Sequence, residues 1–253
     1  MKRKILLIFG SILLLVGIVI GCLGLKQYLA ERNAGKLYEE LKVQMDVQPI
    51  IEMPTVGVEK MENPIDFDSL TAQYPDVYAW IRIPGTKVDY PIVQREGDNG
   101  YYLNHTIDGK KKTEGSIYTE DYNNKDFGDA NTVIYGHNMK NGSMFKTLHK
   151  YKDKQFLLDN SEIYIYQKDR VLKYKIFAAY IYDSRHLMLS FDFEDKNIFQ
   201  NYLDNVLTKR NMSSNINTNV DVTANDKIIT LSTCNNNDAQ RYLVQAVLLS
   251  IQE

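Results

Sequence analysis

Two patterns of apolar and polar positions divide the chain. Residues 5–25, ILLIFGSILLLVGIVIGCLGL, carry no charge. That length matches the ~20 apolar residues a helix needs to cross a bilayer. From residue 77 onward the apolar runs are short and broken by turn residues. They predict eight strands: YAWIRI (78–83), VDYPIV (88–93), GSIYT (115–119), NTVIYG (131–136), EIYIYQ (162–167), RVLKYKIFAAYIYD (170–183), KIITLST (227–233) and RYLVQAVLLSI (241–251). In the sixth, Val171, Tyr174, Ile176 and Ala178 do not alternate strictly, which predicts a bulge or a bend. Two helical patterns interrupt the strands. SMFKTLHKY (143–151) is the shorter. EDKNIFQNYLDNVLTKR (194–210) is longer, with Ile198, Tyr202, Leu203, Val206 and Leu207 at helical spacing. A further short helix, capped by Asp66 or Asp68, is expected to run through Gln73 and stop before Pro75.

These elements predict a mainly β domain over residues 66–253. Its expected form is a closed or nearly closed antiparallel barrel of eight strands, with an N-terminal helix and a helix inserted before the strand that ends at Cys234. Residues 26–65 read as a stalk and linker. KQYLAERNAGKLYEELKVQM (26–45) is polar and partly helical, and Pro49, Pro54, Gly57 and Pro64 then break any regular element. Lys2, Arg3 and Lys4 precede the apolar run. Residues 1–25 therefore read as an uncleaved single-pass anchor, with the N-terminus cytoplasmic and the domain outside. A cleaved signal peptide competes, but its apolar region is usually ~7–15 residues, and Gly21-Cys22-Leu23-Gly24 is a poor cleavage site. A lipoprotein-type role for Cys22 is a lesser alternative.

Composition narrows the function. The net charge of −2 lacks the basic excess of a nucleic-acid binder. Eighteen tyrosines and nine phenylalanines against one tryptophan suit a β-rich body. No Cys/His cluster has metal-ligand spacing, and the glycines are too scattered for a phosphate loop, so neither a metal nor another cofactor is expected. There are only two cysteines. Cys22 lies in the apolar run and Cys234 in the exported domain, which separates them and leaves a free thiol to account for.

A free cysteine is commonly a small buried hydrophobe. Cys234 stands instead where the strand run KIITLST gives way to the turn residues NNND. Strand ends and loops are where catalytic side chains concentrate. An unshifted thiol is only a few per cent thiolate at pH 7, so it needs a partner. Four histidines are available. His149 falls in the shorter helix and reads as a surface or packing residue, while His105 and His186 are ambiguous. His137 follows the strand run NTVIYG as Cys234 follows its own. Arg241 stands seven residues beyond the cysteine. If the two flanking strands pair antiparallel, its guanidinium comes near the thiol and is placed to hold an oxyanion. The residues alone also admit an exported cysteine peptidase that hydrolyses its thioester, or a non-enzymatic cell-surface binding barrel with a buried thiol.

TLSTC with a downstream arginine, and YGHNM, resemble the signatures of the sortase family. WIRIPGTKVDYPIVQ, DNGYYLNHTIDGKKKTEGSIYTEDYNN and VIYGHNMKNGSMFKTLHKY are similar to class B sortases in particular. The resemblance covers roughly residues 66–251, the anchor and the stalk. It implies a cysteine transpeptidase on a Gram-positive cell surface, acting on surface proteins that carry a C-terminal sorting motif of the NPxTx kind. It implies cleavage after the motif's threonine through a thioester on Cys234, and transfer to an amine of a peptidoglycan precursor or crossbridge. His137 would be the general acid and base, and Arg241 the oxyanion partner. Asn99, Leu103, Ser232 and Thr233 would line the peptide site. A pilin-polymerising variant with a lysine nucleophile is the alternative within the family. Between Cys234 and Arg241 this chain reads NNNDAQ, where many class B members are longer or more acidic.

Overall fold

The computed structural model describes residues 2–45, 63–209, 214–235 and 239–253, with side chains from residue 12 on. Most of the expected linker, the last residue of the expected helix 194–210 and most of the turn after Cys234 lie outside the described residues.

All eight expected strands are present: β1 (Val77–Arg82), β2 (Asp89–Val93), β3 (Ile117–Thr119), β4 (Asn131–Tyr135), β5 (Glu162–Gln167), β6 (Arg170–Asp183), β8 (Ile228–Cys234) and β9 (Gln240–Gln252). A two-residue strand, β7 (Asn215–Ile216), adds to β6. The order β5-β1-β2-β3-β4-β8-β9-β6, with β6 returning to β5, closes an eight-stranded barrel. Closure removes the open edges that a sheet otherwise presents to other chains.

The antiparallel expectation needs correction at two seams. β2 pairs with β3 in parallel, and so does β4 with β8. Apolar runs mark strands but carry no information on direction. Parallel neighbours need a crossover of a dozen or more residues, and both seams have one. The long β6 is bulged as expected, with register shifts at Lys173/Tyr174 and Ile176/Ala178.

The short helix Phe67–Gln73 is capped by Asp66, whose carboxylate accepts from the Ser69 N–H at 3.1 Å. The pattern at 143–151 forms a 3-10 helix, Phe145–Lys152, followed by a helical turn, Lys154–Asp159. The inserted helix is Lys196–Leu207, capped by Asp195. Its buried face is Phe199, Tyr202, Leu203 and Val206, whereas Ile198 is 39% exposed. The i, i+3, i+4, i+7 stripe therefore starts at Phe199, one residue later than the periodicity suggested.

Two apolar clusters hold these elements. The smaller packs the inserted helix on β4, β6, β8 and β9. A buried polar chain crosses the same layer. Gln245 donates to the Tyr202 hydroxyl and to Thr230 Oγ1, both at 2.8 Å, and Thr230 Oγ1 donates to Asn131 Oδ1 at 2.8 Å. Such a network favours one arrangement, because a slip breaks several buried hydrogen bonds at once, although Asn131 Nδ2 has no partner among the described residues. The network thus fixes how β4, β8 and β9 register beneath the functional rim. The larger cluster runs through the barrel and out to the helix Lys36–Gln44, which buries Tyr38 and Leu41. Tyr38 Oη donates to the Gly115 carbonyl at 2.6 Å. Sequence periodicity reads residues 26–45 as a polar stalk; the part after Gly35 is instead packed on the barrel. Tyr38 and Leu41, three apart on one helix face, make that contact. Ahead of it the helix Lys2–Asn33 is long and apolar enough to cross a membrane.

Candidate functional site

The parallel seam between β4 and β8 sends both strands out at the same rim of the barrel. Tyr135 is opposite Ser232, and the Gly136 N–H continues the ladder to the Ser232 carbonyl at 3.1 Å. His137 and Cys234, each two residues further on, therefore emerge side by side. Gly136 is required there: a Cβ would lie 2.5 Å from Ile117 Cδ1 and 2.7 Å from the Phe145 ring. The His137 carbonyl then accepts from the Phe145 N–H at 2.9 Å, which fixes the backbone that carries the imidazole. On the other flank β8 pairs antiparallel with β9, and Cys234 is directly opposite Arg241.

His137, Cys234 and Arg241 line one cavity of about 240 Å³. Leu103, Ser232 and Thr233 line it too. Leu103 sits in a 3-10 turn, Tyr101–Leu103, and its side chain is 47% exposed, an apolar surface offered at the cavity. Its carbonyl accepts from His137 Nε2 at 2.6 Å, so that ring nitrogen carries a proton. Asn99 is not among the cavity's lining residues. Its side chain donates to Asp121 Oδ1 and accepts from the Asp121 N–H, both at 2.7 Å, which ties the segment leading to Leu103 to the end of β3.

Sequence reasoning missed the opposite wall. It is built by Tyr182, Ser184, Arg185, His186 and Leu187 from the end of β6, together with Tyr118 and Tyr135. His186 Nε2 donates to Glu120 Oε2 at 2.6 Å, and its Nδ1 accepts from the Leu189 N–H at 3.3 Å. The pair holds that wall against β3. Burial raises the Tyr118 hydroxyl well above its ordinary value; Glu120 adds to this and the nearby Arg241 opposes it. Tyr135 is raised by burial and by Glu120. Both phenols stay protonated and are not bases. His105 stacks on Tyr101 at 4.1 Å, outside the cavity lining. His149, read as surface or packing, is half-buried and bonded to the Cys234 carbonyl. No spacing rule in the sequence signals that contact.

The family model described as Sortase domain matches residues 81–249. The chain belongs to the sortase family. A Sortase B of Listeria monocytogenes is 40% identical over 159 residues, 63% of this chain and 63% of that protein. A Sortase B of Staphylococcus aureus is 31% identical over 235 residues, 92% of this chain and 91% of that protein. A crystal structure of Staphylococcus aureus Sortase B superposes with a TM-score of 0.68 at 27% identity, covering 87% of this chain and 98% of that one. This sortase is of class B type, and as a family member it is a cysteine transpeptidase.

Proposed function

We propose that the cavity is the active site and that Cys234 is the nucleophile. The supporting observation is the convergence of His137, Cys234 and Arg241 on one rim through two independent strand registers. The Cys234 thiolate adds to the carbonyl of the threonine in a C-terminal sorting motif. Arg241 stabilises the tetrahedral oxyanion. As the intermediate collapses, the threonine–X peptide bond breaks, His137 gives its proton to the departing amine, and a thioester remains. An amine of a peptidoglycan precursor or crossbridge then attacks the thioester. His137 takes that amine's proton, the new amide forms and the thiolate is released. Leu103, Ser232 and Thr233 contact the bound motif, and Asn99 acts through the segment it pins to Asp121.

The helix Lys2–Asn33 is the membrane anchor in this reading, with residues 1–25 as anchor, 26–65 as connector and 66–253 as the catalytic domain. Its basic start places the N-terminus in the cytoplasm and the barrel outside. The deciding experiment incubates the full chain in detergent with a peptide library of the form Asn-Pro-X-Thr-X and hydroxylamine. The expected product is a threonine hydroxamate, formed by capture of the thioester. Cleavage elsewhere, or hydroxamate formed equally by Cys234→Ala, overturns the assignment.

A further inference from the structure

The carbonyl of Cys234 is gripped from outside its own strand. Asn138 Nδ2 donates to it at 2.9 Å and His149 Nε2 at 3.1 Å. A carbonyl has two lone pairs, and this one has a side-chain donor for each. Both donors come from the connection between β4 and β5, one residue after His137 in the first case and from the 3-10 helix Phe145–Lys152 in the second. The same helix holds the next residue as well: Lys152 Nζ donates to Asn235 Oδ1 at 3.0 Å. Asn235 in turn donates through Nδ2 to Gln240 Oε1 at 3.1 Å. His149 is itself fixed, its ring stacked on Tyr242 at 4.9 Å and 23°. Burial, with Lys152 and Lys146 close by, pushes its imidazole down to about 4. At neutral pH it is therefore uncharged, with its single proton on the nitrogen that faces the carbonyl.

We propose that His149 and Asn138 are positioning residues for the reaction at Cys234: together they set the plane of the Cys234–Asn235 peptide, and with it the aim of the thiol and of the Asn235 N–H. A strand end has no further ladder to hold its last peptide. Here that peptide adjoins the reacting sulfur, and among the described residues its N–H makes a long contact, 3.4 Å, to the Gln240 carbonyl. Side-chain donors on its carbonyl replace the missing ladder. The aim of a nucleophile matters steeply, since a displacement of about 1 Å can cost a hundredfold in rate. The grip thus acts on the chemical step and leaves peptide binding alone. This inference rests on the proposed transpeptidase reading.

The test separates donor from packing at position 149. His149→Phe keeps a ring against Tyr242 and removes the donor; His149→Gln loses the ring and restores an N–H at similar reach. With the full chain in detergent and the Asn-Pro-X-Thr-X library, His149→Phe is expected to lower kcat about ten- to a hundredfold. KM stays within twofold, His149→Gln recovers most of the loss, and the shape of the pH–rate profile is unchanged. Asn138→Ala is expected to act in the same direction, and the double variant to fall below either single one. Hydrogen exchange read by mass spectrometry gives a measure independent of turnover. In His149→Phe the peptide carrying Thr233, Cys234 and Asn235 exchanges faster, while β4 and β9 do not change. Unchanged exchange there, or His149→Gln no better than His149→Phe, overturns the grip even if the enzyme is active. No cleavage by the parent chain, with the exchange difference present, instead counts against the transpeptidase reading.

Discussion

Two stretches of the connection between β4 and β5 approach Cys234, and they do so in opposite ways. At residues 137–138 the chain has just left the parallel seam. His137 stands partly exposed at the cavity, its Nε2 proton resting on the Leu103 carbonyl. At 149–152 the chain is wound into a 3-10 helix. His149 is stacked, half-buried and neutral, and it touches the backbone of Cys234. On the proposed reading the same residue type serves the same cysteine with different chemistry, and environment decides which. An imidazole that must exchange protons needs access to solvent and substrate. One that must hold a backbone group needs a fixed ring and one fixed proton.

The contrast breaks first at the thiol that both stretches serve. Cys234→Ala is expected to abolish peptide cleavage and to melt as the parent does. Residual turnover by the folded variant would remove the shared target. Next, His137→Ala is expected to lose about 10²–10⁴ in kcat, the range of a missing general acid–base, with the bell-shaped pH–rate profile lost. If His149→Phe proves the more damaging of the two, the roles are reversed. Arg241→Ala is expected to lose ~10²–10³, as for one preorganised oxyanion donor. Arg241→Lys recovers only part, because lysine keeps the charge without the planar fork. The smallest effect is on stability. His149 titrates near 6.5 when unfolded and near 4 when folded, so below about pH 6.5 the unfolded chain binds the extra proton. Stability therefore falls as the pH drops from 6.5 toward 4, and His149→Gln should flatten that part of the curve in thermal melts. An unchanged acid limb would mean that His149 is not sheltered.

Much of this arrangement is legible in the chain. TLSTC and YGHNM each end an apolar run, which placed Cys234 and His137 at strand ends. The seven-residue spacing to Arg241 placed the guanidinium opposite the thiol once β8 and β9 paired. Strand direction was not legible, because alternation is the same whichever way a strand runs, and so the parallel β4–β8 seam had to come from the structure. The wall around His186 and Glu120 was hidden for a related reason: the residues lie on different elements and meet only when the barrel closes. Asn99 stands apart from the other three peptide-site residues, Leu103, Ser232 and Thr233, which line the cavity. Its side chain bonds Asp121, and Leu103, further along the same segment, lines the cavity. Tyr38 and Leu41 look like ordinary residues of a charged helix until the barrel supplies the surface they cover.

The parallel seam also imposes an order in time. β4 and β8 are separated by about a hundred residues of chain, and non-local pairings of this kind form late. The imidazole and the thiol cannot meet until β8 has been made and has paired with β4. On the proposed reading, a chain in which this seam has not formed has its thiol unaccompanied by the imidazole. On the same reading, competence comes with the β4–β8 and β8–β9 pairings that bring His137 and Arg241 to Cys234.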